Sequence, residues 1–163
     1  MLNKSKIALI GAIAAAGMVS TGANAATQTA TAEARIITAV TLTQNVGLDM
    51  GVIAASAAGG TVTLPNTSST RTCAGVTCVG TASRGQFTVS GASSGFVVLV
   101  TTPLTTTLSG AGTAMTLALS PSLVSFTSTG AAQVFYVGGT LAVGANQTAG
   151  TYTGTYNVSA DYQ

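Results

Sequence analysis

The chain has 163 residues, with five Lys or Arg, three Asp or Glu and no His. Both lysines, Lys4 and Lys6, sit at the start; beyond them Arg35, Arg71 and Arg84 cancel Glu33, Asp49 and Asp161. A neutral chain without lysine carries no electrostatic footprint for nucleic acid or anionic lipid, and the missing imidazole removes the usual general base.

Taken in order, the first segment reads as a leader. Lys4 and Lys6 precede an apolar run over 7–19, and Ala23-Asn24-Ala25 offers the small residues a signal peptidase accepts. The pattern predicts a secretory signal peptide over 1–25, cut between Ala25 and Ala26. A membrane anchor is the rival reading, but the run is short and alanine-rich and no stop-transfer pattern follows it. Export to the periplasm, the cell surface or the medium is therefore expected, with no membrane insertion after cleavage. Residues 26–163 amount to one domain.

The processed chain opens on an alternating stretch. Ala30, Ala32, Ala34 and Ile36 share one face, and Thr29, Thr31, Glu33 and Arg35 the other. That period of two predicts a strand. No turn signal intervenes before Gln44-Asn45, so the strand is long or kinked. A short apolar piece over 45–53 follows, then strands around 61–64 and 86–90. Residues 96–100 are apolar on both faces, which predicts a central strand. Further strands are expected at 115–119, around Val124 and Phe126, and over 134–143. The last segment, 150–163, alternates throughout: Tyr152, Gly154, Tyr156, Val158, Ala160 and Tyr162 against Thr151, Thr153, Thr155, Asn157, Ser159 and Asp161. It predicts one long strand with an apolar and a wet face. With no helical period after the leader, the chain is expected to be all-β, a sandwich of about nine strands.

Cys73 and Cys78 stand five apart in sequence. In an exported chain the first reading is a local disulfide pinning a hairpin tip, with free thiols as the alternative. A metal site needs more ligands than these two and no His can supply them. Glu33, Asp49 and Asp161 each sit alone, whereas a glycosidase needs two carboxylates facing one bond. No nucleophile elbow or phosphate loop occurs. The expectation is a protein that is not an enzyme and takes no cofactor. Three Asn-x-Ser/Thr sequons, at Asn66, Asn146 and Asn157, are common by chance in so Thr- and Ser-rich a chain. Tyr136, Tyr152, Tyr156 and Tyr162 read as core and sheet-edge packing ahead of an aromatic sugar platform.

The order of an Ala/Thr-alternating start, Leu48-Asp49-Met50-Gly51, the AGGTVTL stretch ending at Leu64, and VGANQTAGTYTGTYNVSADY over 143–162 resembles the secreted bacterial domain-of-unknown-function family 4402, with Met50 where the family box usually has Phe. That family is similar in layout to chaperone–usher pilin subunits. The resemblance implies an immunoglobulin-like, pilin-like sandwich over 38–163, preceded by a donor-strand extension over 26–37. Ala30, Ala32, Ala34 and Ile36 would then be donor residues, Tyr162 the penultimate aromatic, and Tyr152, Tyr156 and Val158 further contacts of the C-terminal strand, with Tyr156 and Val158 lining the acceptor groove. It implies an exported structural subunit of a fimbria-like filament that polymerises with itself, served by a periplasmic chaperone and an outer-membrane usher. The alternative is a self-complete monomeric binding module in which Thr27–Ile36 is the protein's own first strand.

Overall fold

The computed structural model describes residues 25–163; the expected leader over 1–25 lies outside the described residues except for Ala25. The chain divides into a unit ending at Ala34 and a compact unit from Arg35 to Gln163. In the first, residues 25–34 are exposed and carry neither strand nor helix.

The second unit is all-β, with twelve strands: β1 (Thr41–Val46), β2 (Val52–Ala54), β3 (Gly60–Leu64), β4 (Thr72–Ala74), β5 (Thr77–Val79), β6 (Gly85–Ser90), β7 (Val97–Thr101), β8 (Thr105–Leu108), β9 (Met115–Pro121), β10 (Ser125–Thr127), β11 (Gln133–Val143) and β12 (Ser159–Tyr162). Three exceed the expectation. β4 and β5 flank the cysteine loop, and β8 lies in the Thr-rich stretch after Pro103, where no apolar alternation marks a strand.

A seven-stranded antiparallel sheet runs β1-β6-β11-β3-β4, with β9 on the far edge of β11 and β8 beyond it. A three-stranded sheet, β10-β7-β12, packs over it, and β2 pairs with β5 alone. β11 organises the large sheet. Residues 133–137 pair with β6 and 139–143 with β3, both on one edge, while 137–141 pair with β9 on the other. The change of partner falls at Gly138-Gly139. A Cβ at Gly138 would lie 2.6 Å from the Asn66 nitrogen, and one at Gly139 would lie 2.5 Å from the Ala118 carbonyl oxygen. Glycine lets the backbones close at this corner.

Alternation decides what is inside. On β11, Phe135, Val137, Leu141 and Val143 are buried; Val62 and Leu64 from β3, Phe87 and Val89 from β6 and Leu117 and Leu119 from β9 join them. Val98 and Val100 complete the core from β7. Each full burial contributes about 2 kcal/mol. β7 is central in its sheet as expected, yet only one of its faces is buried: Leu99 is 45% exposed, because the second sheet covers the other face alone.

Two expectations fail. No strand forms over Thr27–Ile36, and Ile36 is 96% exposed. β1 starts where β6 ends, with Thr41 opposite Ser90, and Gly91 (φ +76°) turns β6 away. A strand needs a ladder partner, and alternation alone cannot supply one. The cysteine pair is joined, Cα to Cα 6.3 Å, but not at a hairpin tip. β4 pairs with β3 and β5 with β2, so the disulfide fastens a corner where the chain leaves one sheet for another.

The β11 corner generates a prediction. Gly138→Ala is expected to lower unfolding stability by about 2 kcal/mol, read from the denaturant midpoint; an unshifted midpoint would show that the strands part there without cost.

Candidate acceptor cleft

The C-terminal segment keeps its alternation but not its ladder. Tyr152, Tyr156, Val158, Ala160 and Tyr162 are half-buried while their neighbours are exposed. Yet only 159–162 form a strand, β12, paired with β7 from Ser159 opposite Thr101 to Tyr162 opposite Val98. Earlier, Thr153 and Ser109 exchange two main-chain hydrogen bonds of 2.9 Å, and the Thr106 hydroxyl donates to the Thr155 carbonyl at 2.7 Å. The segment thus follows β7 and then β8, which are one run of chain bent at Pro103. Proline supplies no N–H for the ladder, and pairing lapses where the segment passes the bend.

The predicted contact residues of this segment part company. Tyr162 packs edge-on against Phe96, centroids 5.8 Å apart. Its hydroxyl accepts from the Ser93 amide at 2.7 Å and donates to the Thr38 carbonyl at 2.8 Å. It ties the start of the domain to its end. Val158 packs against the core. Tyr156 stands edge-on to Phe87, centroids 6.3 Å apart, with its hydroxyl where a Gly85 side chain would be. That hydroxyl is buried without a hydrogen-bond partner among the described residues. Tyr152 accepts from Gln147 and donates to the Thr148 carbonyl, both at 2.8 Å, closing the turn that leads into the segment.

Of these four, only Tyr152 lines a cleft of about 720 Å³ whose lining is part apolar and part polar. One wall is 48–55, which contains β2; the other is 147–154. Leu108, Met115, Leu117, Leu141 and Val143 line it between the walls. Tyr156 and Val158 do not line this cleft and are half-buried against the core. Sequence reading missed the wall 48–55, where the only signal was a short apolar piece between glycines. Asp49 accepts from the Gly51 amide at 2.7 Å and is spent on that turn. Among the described residues no group of three metal-ligating side chains gathers. Each wall is hydrogen-bonded on one side only, β2 to β5 and 150–155 to β8 and Ser109. The other side of each carries no ladder among the described residues.

Ala30, Ala32 and Ala34 lie in the exposed stretch of the first unit, and Ile36 is the second residue of the other. Ala25 and Ala26, flanking the expected cleavage point, are exposed.

Burial raises the pKa of Tyr156 above its ordinary 10.0. The fold therefore holds the neutral phenol. The stability linked to it is whole below the unfolded value and is lost as pH rises through the folded one. Tyr156→Phe removes a partnerless hydroxyl, so the variant is expected to be at least as stable as the parent at neutral pH, by up to about 1 kcal/mol. It should also lose less stability above pH 10.0. Denaturant titrations on both sides of that pH check this; a large loss at neutral pH would mean that the hydroxyl is bonded.

No curated protein and no solved structure gives a significant match to the chain. The family described as Domain of unknown function (DUF4402) matches residues 40–162, from the approach to β1 to the penultimate Tyr, and the chain belongs to it.

Proposed function

We propose that the protein is an exported, non-enzymatic structural subunit of a fimbria-like filament, built by strand complementation on a pilin-like, immunoglobulin-like sandwich. The cleft is the acceptor, and residues 26–36 of a second copy are the donor. The observation that carries the reading is a cleft, lined in part by apolar side chains, between two stretches of main chain that each have ladder or bridge partners on one side alone among the described residues. A strand laid there pairs its backbone with the walls while its side chains cover the apolar lining. Fully extended, 26–36 spans about 36 Å at roughly 3.3 Å per residue, enough to run the length of the wall.

Polarity supports the filament. Thr38 is held at the Tyr162 end of the C-terminal segment, while the cleft lies at the Tyr152 end. The two are separated by about 30 Å of extended chain at roughly 3.3 Å per residue. The chain thus enters the domain far from the cleft, and a head-to-tail contact of that kind builds an open filament wherever its rotation does not close a ring. Export, surface location, and a chaperone and usher as partners belong to the same reading. A self-complete binding module, the second reading, draws on the cleft volume alone.

Removing residues 26–36 from the exported protein is expected to abolish oligomers seen by sizing and electron microscopy. A peptide of that sequence should bind the truncated chain. Ala32→Asp in the peptide should weaken binding at least about tenfold, because the carboxylate would be desolvated without a partner. Polymers formed by the truncated chain would overturn the proposal, and a stable monomer of the untruncated chain at high concentration would favour the binding module.

A further inference from the structure

The cleft wall 48–55 is held directly at Asp49, which exchanges two main-chain hydrogen bonds with Ser83, and at Met50, which is buried in the core. β2 itself is attached through an indirect joint. β2 has a single ladder partner, β5, with Val52 opposite Val79, Ile53 opposite Cys78 and Ala54 opposite Thr77. β5 belongs to neither large sheet. The strand before it, β4, lies on β3, with Cys73 opposite the fully buried Val62. The disulfide therefore runs from the end strand of the seven-stranded sheet to the strand that backs the wall.

Arg71 reinforces the same joint. It precedes β4, and its guanidinium donates to the carbonyls of Met50, Val52 (3.4 Å), Val79 (2.6 Å) and Gly80 (3.1 Å). One planar fork thus gathers acceptors from the wall and from the end of β5, a task its fixed donor geometry suits and an ammonium does not. Gly51 (φ +72°) makes the room: a side chain there would lie 2.9 Å from the guanidinium carbon.

We propose that Cys73, Cys78 and Arg71 are positioning residues for the cleft: a disulfide and a guanidinium that together clasp the wall, so that reduction frees β2 locally and leaves the rest of the sandwich folded. The reaction is thiol–disulfide exchange. A dithiol reductant transfers two electrons and two protons, the Cys73–Cys78 bond becomes two thiols, and the reagent becomes a disulfide. That filament assembly then requires the oxidised subunit is a consequence resting on the acceptor reading; the clasp itself does not rest on it.

The test is amide hydrogen exchange on the whole protein, oxidised and after treatment with a dithiol, with Arg71→Met as an oxidised variant. Exchange at 52–54 and 77–79 is expected to accelerate about tenfold or more on reduction, while β11 keeps its protection and reoxidation restores the original pattern. Arg71→Met should accelerate the same amides without reduction. Unchanged exchange at 52–54 in the reduced protein would overturn the clasp. So would equal loss of protection in β11, which would make the disulfide a staple of the whole fold. Binding of the 26–36 peptide, measured in parallel, decides the acceptor reading separately: a peptide that binds neither state sinks that reading and leaves the exchange result standing.

Discussion

The architecture depends on one strand hydrogen-bonding to three others. β11 can serve β6 and β3 in succession on one edge because two glycines let neighbouring backbones close in where the partners change. The result is a curled sheet whose concave face has two different ends. At one, Phe135 stacks on Phe87 with centroids 5.3 Å apart, sealed beneath the three-stranded sheet. At the other, Leu141 and Val143 run on along the same face of the same strand and line the cleft. Sealed core and open end are thus one apolar stripe, interrupted only by where the second layer stops.

The second layer ends with β7 at Thr101, where the chain passes through residues 102–104, Pro103 among them, into β8. The C-terminal segment follows β7 closely enough to form β12, and its register against the chain slips once the proline is passed, from Ser159 opposite Thr101 to Thr153 opposite Ser109. Beyond the slip it holds β8 through a few main-chain and hydroxyl bonds and has no second neighbour among the described residues. The opposite wall has the same one-sided character: β2 pairs with β5 alone among the described residues, backed by Arg71 and the disulfide, while Asp49 and Met50 before it are held by Ser83 and the core. Two edges that arise independently therefore frame one gap.

Much of the sandwich was legible because apolar alternation reports burial directly. β3, β6, β9 and β11 were placed from Val62, Phe87, Leu117 and Val137 and their neighbours two residues away. The same signal misled at the N-terminus, where Ala30, Ala32 and Ala34 alternate as well as any core strand and yet form no strand, since alternation describes a surface and not its partner. It misled in part at the C-terminus, where the faces were right but the ladder breaks at a bend encoded some fifty residues earlier, in a single proline. β8 was invisible because its Thr-rich sequence buries little, and the joint around Arg71 because it is built from carbonyl acceptors, which every residue has and no motif announces.

The character of the open end narrows what could suit it. An apolar small molecule would cover Leu108, Met115 and Leu141 but would leave two main-chain edges without ladder partners, and buried peptide groups without partners are costly. A charged ligand would find Asp49 already engaged with the Gly51 amide. An extended peptide answers both demands, since its side chains meet the stripe and its backbone meets the edges. The chain holds such a peptide in the alternating alanines before β1, with small side chains and, in Glu33 and Arg35, one charge of each sign on the opposite face. The proposed filament joins these two features of one sequence, the open end of the sandwich and the alternating stretch before it.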